Sequence, residues 1–341
     1  MTQEKSQQIA VLGAGSWGTA LAIVLQNNGH DVSLWEFRPD AARKLDEERE
    51  NKEFLPGITI PKDITISSDP GQVLADTSMA IFVVPSHVLR EVSRKVTNCK
   101  PARNVIAVSA VKGIENESLM RMSEILLDEI SWLDKDRIAA LSGPSHAEEV
   151  SRNIPTAVVA ASNRESTAQA VQRIFMNKTF RVYDSTDIVG VELGGAVKNI
   201  IAIAAGICDG AGFGDNTKAA LQPRALVEIV RLGTRLNANP MTFAGLSGMG
   251  DLIVTCMSKH SRNRYLGEQI GSGKTLQEIL EEMTMVAEGV NTTQSVHALS
   301  HKCGVEMPIS NQVYEILFNN KNPKQALHDL MIRDAKKEAW G

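Results

Sequence analysis

The sequence has no CxxC pair. Its four cysteines, Cys99, Cys208, Cys256 and Cys303, stand far apart, so no paired-thiol motif is present and no metal site is expected. Three lie in or beside apolar segments, which reads as reduced, buried thiols in a reducing cytoplasm. The opening stretch MTQEKSQQ is polar and lacks an apolar core, so a secretory signal is not expected. No uninterrupted run of about 18 apolar residues occurs, so no membrane span is expected. A net charge of −4 gives no general reason to bind nucleic acid or an anionic membrane, and no basic recognition helix is visible. Any anion site must be local. No repeat or low-complexity segment is visible, and no Gly/Ser or Pro linker marks a domain junction.

What is present is enough chain for more than one core: 341 residues predict two domains. The first half alternates strand-length apolar runs (IAVLGAG, DVSLWE, MAIFVVP, NVIAVSA, RIAALSG, TAVVAAS and a final TFRVYDS) with helix-like stretches such as SWGTALAIVLQNNGH and ESLMRMSEILLDEI. That alternation predicts a mostly parallel sheet with helices on both faces. After Asp187 the pattern turns helical: KAALQPRALVEIVRLGTRL and TLQEILEEM repeat apolar residues every three or four positions. The expected fold is therefore an α/β Rossmann-like dinucleotide-binding domain over residues 1–187, followed by an all-α domain over 188–341. The closing stretch PKQALHDLMIRDAKKEAW reads as a final helix.

AVLGAGSWGTALAIVL places Gly13, Gly15 and Gly18 in GxGxxG spacing between an apolar strand and an Ala/Leu helix. Gly13 permits the tight turn, Gly15 lets a pyrophosphate approach the backbone, and Gly18 lets helix and strand pack closely. The helix N-terminus adds N–H donors and partial positive charge. At the end of the second strand, Glu36 suits the adenosine ribose hydroxyls and favours NAD. Arg38 suits adenine or a 2′-phosphate and favours NADP. The two cues conflict: Glu36 would repel a 2′-phosphate unless it turns away, which leans the reading toward NAD without excluding NADP.

Hydride transfer to a carbonyl needs a proton and cationic neighbours for the oxygen. GVELGGAVKNIIAIAAGICDG is an apolar helix with Lys198 in its middle, at the junction of the domains. A lysine there suits general acid/base work. The structural alternatives are a snorkelling side chain or a buried ion pair with a carboxylate such as Glu192. Lys112 ends a strand, and LSGPSHAEEV brings Gly143, Ser145 and Ala147 to the same carboxyl edge of the sheet, where ligands bind. His146 could serve as a proton donor, but the plainer reading is an exposed helix histidine. In LSGMGDLIVTCMSKHSRNRYLG, Gly248 and Gly250 read as a flexible entry. Asp251 and Thr255 share a helix face, and Ser261, Arg262 and Asn263 give a hydroxyl, a guanidinium and an amide that suit a phosphate. The alternative there is a solvated basic loop.

Together LGAGSWGTALA, SAVKGIE, SGPSHAEEV, ELGGAVKNIIAIAAGICDG, GLSGMGDLIVTC, SRNRYLG and AEGVNTT resemble, in family order and over nearly the whole chain, the soluble NAD(P)-dependent glycerol-3-phosphate dehydrogenase family. The resemblance implies reduction of dihydroxyacetone phosphate to sn-glycerol 3-phosphate, the phospholipid backbone precursor, with NAD(H) or NADP(H) and no metal. It implies Lys198 as general acid/base, with Lys112, Asp251, Thr255 and Asn199 around the substrate oxygens. Arg262 and Asn263, helped by Ser261, would hold the phosphate, and Gly143 and Ser145 would touch the substrate. Ser16, Trp17, Phe37, Arg38, Lys112, Ala147, Arg262, Val286 and Glu288 would line the cofactor. The sequence departs from the family pattern at His146, where Phe is common, and at Ala287, where Val is usual. A cytoplasmic enzyme is expected; a homodimer is an option that no sequence feature decides. Competing readings are another two-domain dehydrogenase, of 3-hydroxyacid or 6-phosphogluconate type, and a nicotinamide-sensing protein without turnover.

Overall fold

The apolar runs of the first half become a single eight-stranded sheet in the computed structural model, which describes residues 6–99, 101, 104–283, 286–335 and 337–338. The strands are β1 (Gln8–Leu12), β2 (Asp31–Trp35), β3 (Thr65–Ser67), β4 (Met79–Phe82), β5 (Ile106–Ser109), β6 (Ile138–Ser142), β7 (Thr156–Ala161) and β8 (Phe180–Ser185). Their order is β3-β2-β1-β4-β5-β6-β7-β8. Every pair is parallel except β6–β7, which is antiparallel. Strands buried on both faces must be apolar throughout, and all four residues of β4 are buried. The order reverses at β1, whose Leu12 is in register with Trp35 on one side and Phe82 on the other. Such a reversal opens a crevice at the carboxyl ends of the strands.

The helices of this half are α1 (Ser16–Asn27), α2 (Pro39–Glu48), α3 (Pro70–Leu74), α4 (Leu89–Val96), α5 (Met122–Glu129), α6 (Ala147–Val150) and α7 (Glu165–Phe175). Helix α5 starts later than the stretch ESLMRMSEILLDEI suggests. Leu119 has φ +61°, and Ile114 pairs with Arg121 in an isolated antiparallel bridge. The sequence reading also lacks β3. Three residues with no fully buried side chain leave no periodicity to read.

The remaining helices are α8 (Ile188–Gly210), α9 (Gly214–Arg235), α10 (Asp251–Met257), α11 (Arg262–Gly271), α12 (Leu276–Glu282), α13 (Glu288–Cys303), α14 (Pro308–Phe318) and α15 (Pro323–Met331). The last ends short of Trp340, which lies outside the described residues. Helix α8 is long and apolar enough to cross a membrane by length and composition, but 94% of its most apolar stretch is buried inside the protein, as in a core helix. Helix α12 starts at a capping box in which the Thr275 hydroxyl and the Glu278 carboxylate satisfy each other's backbone N–H groups.

The chain divides into two compact units. One holds Met1–Lys112 and Met122–Val191; the other holds Gly113–Arg121 and Glu192–Gly341. The short segment Gly113–Arg121 is tied within the second unit by specific bonds. Ser295 Oγ donates to the Ile114 carbonyl at 2.7 Å and also bonds Asn116, while Arg121 pairs with Glu192 at 2.6 Å. These ties also explain why the segment does not extend α5.

Candidate functional site

In the first unit, the chain leaves β1 through the Gly-rich turn and enters α1. Gly13 has φ +121°, and a Cβ there would lie 2.5 Å from the Val83 carbonyl oxygen. A Cβ on Gly18 would come within 1.8 Å of the Gly13 carbonyl. Both positions therefore require glycine. Gly15 is different: a Cβ there would meet nothing within 4 Å, so the turn leaves open space beside its backbone. The N-cap of α1 is Gly15, which has no side chain to cap the helix. An open cradle at an uncapped helix start fits a dinucleotide pyrophosphate. Ser16 and Trp17 open the helix, and Trp17 packs against Phe180 with ring centroids 6.4 Å apart.

Asn51 braces this turn, and sequence reasoning missed it. It is 5% exposed, and its amide donates to the Ala14 carbonyl at 2.8 Å and to Thr19 Oγ1 at 2.9 Å. It sits in a polar loop with no periodic or motif signal. At the end of β2, Glu36 is buried, and its Oε1 accepts from the Arg38 backbone N–H at 3.2 Å and from Arg38 Nε at 3.1 Å. These bonds raise the Arg38 guanidinium pKa, with the Glu36 hydrogen bond as the largest cause. Phe37 is exposed, with the Arg38 guanidinium 5.7 Å from its ring centre.

Lys112 ends the first stretch of this unit, and its Nζ donates to the Gly143 carbonyl at 3.0 Å. Ser145 Oγ donates to the same carbonyl at 3.0 Å. Lys112, Gly143 and Ser145 are thus brought together at the carboxyl edge of β5 and β6. His146 is not an exposed helix residue. It is the N-cap of α6, half-buried, because the turn from β6 folds it back before Ala147 begins the helix.

In the second unit, Lys198 is 6% exposed on α8. Its Nζ donates to Thr255 Oγ1 at 2.7 Å and lies 3.1 Å from Asp251 Oδ1. Asp251 and Thr255 are both buried on one face of α10, and the Thr255 hydroxyl donates to the Asp251 carbonyl one turn back at 2.6 Å. A buried ammonium is thereby neutralised and held between two helices. Asp251 is thus a carboxylate partner of Lys198. Glu192, the ion-pair partner considered from sequence, pairs with Arg121 at 2.6 Å.

The turn that delivers Asp251 is a π-helical segment, Leu246–Gly250, and not a flexible entry. A Cβ on Gly248 would lie 2.1 Å from the Phe243 carbonyl, and one on Gly194 would lie 2.6 Å from the Ser247 carbonyl. Gly248 and Gly194 let backbone pack closely on backbone.

Beside Lys198, Asn199 is 3% exposed, and its Oδ1 accepts from Asn263 Nδ2 at 3.0 Å. Asn263 Oδ1 in turn accepts the Gly289 N–H at 2.9 Å. The Asn263 side chain therefore joins α8, α11 and the first turn of α13. Ser261 caps α11, accepting the Arg264 N–H at 3.2 Å. Arg262 is exposed as the first residue of that helix, whereas Arg264 pairs with Asp209 at 2.6 Å. The basic stretch thus leads into a capped helix start, with Lys259 and Arg262 exposed and Arg264 used internally. Val286 is exposed and Glu288 opens α13. All four cysteines are free, and burial pushes the Cys208 and Cys256 thiols up to about 11 and about 12. Among the described residues no group of three or more His, Cys, Asp or Glu side chains could hold a metal ion.

Comparison with known proteins gives a consistent result. Residues 8–168 match the model of the NAD-dependent glycerol-3-phosphate dehydrogenase N-terminus, and residues 187–328 match that of the C-terminus. A relative from Chlorobium luteolum, named glycerol-3-phosphate dehydrogenase (NAD(P)+), is 53% identical over 330 residues, covering 97% of this chain and 99% of its own. The crystal structure of glycerol-3-phosphate dehydrogenase from Coxiella burnetii has a TM-score of 0.91 at 37% identity, covering 96% of this chain and 99% of that one. A ketopantoate reductase from Ralstonia eutropha, with TM-score 0.60 and 15% identity over 94% of this chain and 99% of its own, shares the architecture alone.

Proposed function

Because this chain belongs to the NAD(P)-dependent glycerol-3-phosphate dehydrogenase family, we propose that it reversibly reduces dihydroxyacetone phosphate to sn-glycerol 3-phosphate, with Lys198 as the general acid/base. The observation that carries this reading is the buried Lys198–Asp251–Thr255 arrangement. A proton donor for a carbonyl must be placed before the reaction and must not be lost to water. The nicotinamide, when bound, supplies the hydride to the carbonyl carbon. Lys198 Nζ gives its proton to the carbonyl oxygen and recovers one from the alcohol in the reverse direction. Thr255 and Asp251 fix the amine and balance its charge. Asn199, its amide oriented by Asn263, adds a hydrogen bond to the substrate.

The phosphate lies at the start of α11 in this reading, on the Arg262 guanidinium with help from Ser261 and Asn263. The Asn263 side chain is already engaged with Asn199 and Gly289, so its share comes through its backbone N–H in the first turn. Lys112, Gly143 and Ser145 add substrate contacts. The Gly13–Gly18 turn with Ser16 and Trp17, together with Glu36, Phe37, Arg38, Lys112, Ala147, Arg262, Val286 and Glu288, serves the dinucleotide. The product would supply the glycerophospholipid backbone in the cytoplasm.

Lys198→Met tests the assignment. Turnover should fall about 10²- to 10⁴-fold, while NADH binding, read by fluorescence titration, stays within about twofold. Where the single variant is unstable, Lys198→Met/Asp251→Asn serves the same purpose. Turnover within about tenfold of the parent would remove Lys198 from the proton transfer.

A further inference from the structure

Beyond Glu36 and Arg38, the pocket at the end of β2 is shaped by Glu53, a residue that no sequence motif singles out. The pocket touches the Gly-rich turn at Ala14, then runs past Arg38 and Asn51 to Phe54. In a doubly wound sheet this is where the adenosine end of a dinucleotide lies. Its wall carries four carboxylates (Glu36, Glu48, Glu50 and Glu53) against three cations (Arg38, Lys44 and Lys52).

The pairing within the wall decides what that balance does. Lys52 is matched to Glu48 at 3.1 Å. The Arg38 guanidinium is held through Nε by the buried Glu36 carboxylate at 3.1 Å, which already cancels its charge. Glu53 Oε2 then stands 3.6 Å from Arg38 Nη2. One guanidinium therefore faces two carboxylates. A 2′-phosphate carries between one and two negative charges near neutrality and would meet a net negative neighbourhood. A ribose 2′-hydroxyl carries none, and it is able to donate to a carboxylate.

We infer that Glu53 sets the choice between the two nicotinamide cofactors, and sets it toward NADH, by placing negative charge on the guanidinium that a 2′-phosphate needs. Glu36 is not the tuning position, because it is buried and holds the backbone of the β2 end as well as the side chain of Arg38. Glu53 is well exposed, and an exposed pair of this kind contributes little to stability, so its charge can be changed without disturbing the fold. The inference rests on the dinucleotide reading above and deepens it by naming the residue that discriminates.

The test is direct binding of NADH and NADPH, by fluorescence titration without substrate, to the parent protein, Glu53→Gln and Glu53→Lys. The parent should bind NADH about tenfold more tightly than NADPH. Glu53→Gln should narrow that ratio about three- to tenfold, mainly through tighter NADPH binding, and Glu53→Lys should narrow it further. Parallel titrations with 2′,5′-ADP and 5′-ADP should show the same change, since these ligands carry only the adenosine end. A parent that prefers NADPH, or a Glu53→Gln ratio within about twofold of the parent, would overturn the inference while leaving the family reading intact. Failure of a folded parent to bind either dinucleotide would overturn both.

Discussion

A lysine ammonium that is 6% exposed needs a compensating charge within reach, and Asp251 at 3.1 Å supplies it. Removing one partner of such a pair strands the other charge in a poorly solvated site. Asp251→Asn should therefore cost about 3–5 kcal/mol of stability. Lys198→Met/Asp251→Asn should cost less than Asp251→Asn alone, because neither charge is left over, yet recover no activity. Urea denaturation of the two single variants and the double variant closes this cycle. Simple addition of the two single costs would contradict the pairing. At this scale the sequence was informative where chemistry imposed a pattern: an amine inside an apolar helix, and Asp251 and Thr255 one turn apart. It was silent where a residue acts through its neighbours. Asn263 reads as a phosphate ligand by type, but its side chain turns inward to Asn199 and Gly289. Asn51 reads as an ordinary loop residue, although it holds the Gly-rich turn.

At the scale of elements, one helix start depends on a carboxyl group borrowed from another helix. Glu228 on α9 is 2% exposed and accepts the Ile309 N–H at 2.6 Å, the Ser310 N–H at 3.1 Å and the Ser310 hydroxyl at 3.1 Å, so it caps α14 from outside. Burial pushes its carboxyl up to about 7, and the three hydrogen bonds and nearby Arg231 offset that only in part. The folded-state value thus lies above the ordinary carboxyl value of 4.5. The unfolded chain releases this proton first as pH rises, so the stability linked to Glu228 is full below about 4.5 and is lost on the way to about 7. The whole effect is roughly 3 kcal/mol. Thermal unfolding of the parent should therefore weaken between pH 5 and 7 more steeply than that of Glu228→Gln, which cannot titrate. Equal slopes would contradict the assignment. Elements with a clear period were legible in sequence: the buried strands, α1, α9 and α12. Strand β3 and the late start of α5 were not. The first is three residues long, and the second is set by Ser295 and Glu192, far away in the chain.

For the whole molecule, the change from strand-helix alternation to helical periodicity near Asp187 was visible because the two halves bury their apolar residues with different periods. The Gly113–Arg121 segment, which belongs with the helical unit, was not visible, since its ties are long-range polar contacts and not a local pattern. The family assignment was legible because its motifs occur in order along the chain, and the relatives match this chain over nearly its full length. The cofactor choice was legible only as a lean toward NAD, because Glu36 and Arg38 point in opposite directions and the position of Glu53 beside Arg38 has no local signal. The central claim, that this chain reduces dihydroxyacetone phosphate, is tested most directly by absorbance at about 340 nm, where reduced nicotinamides absorb, after that substrate is added to the protein with NADH or with NADPH. The account predicts rapid loss of absorbance, faster with NADH at low cofactor concentration. No loss with either cofactor, in a folded sample that binds NADH, would contradict it.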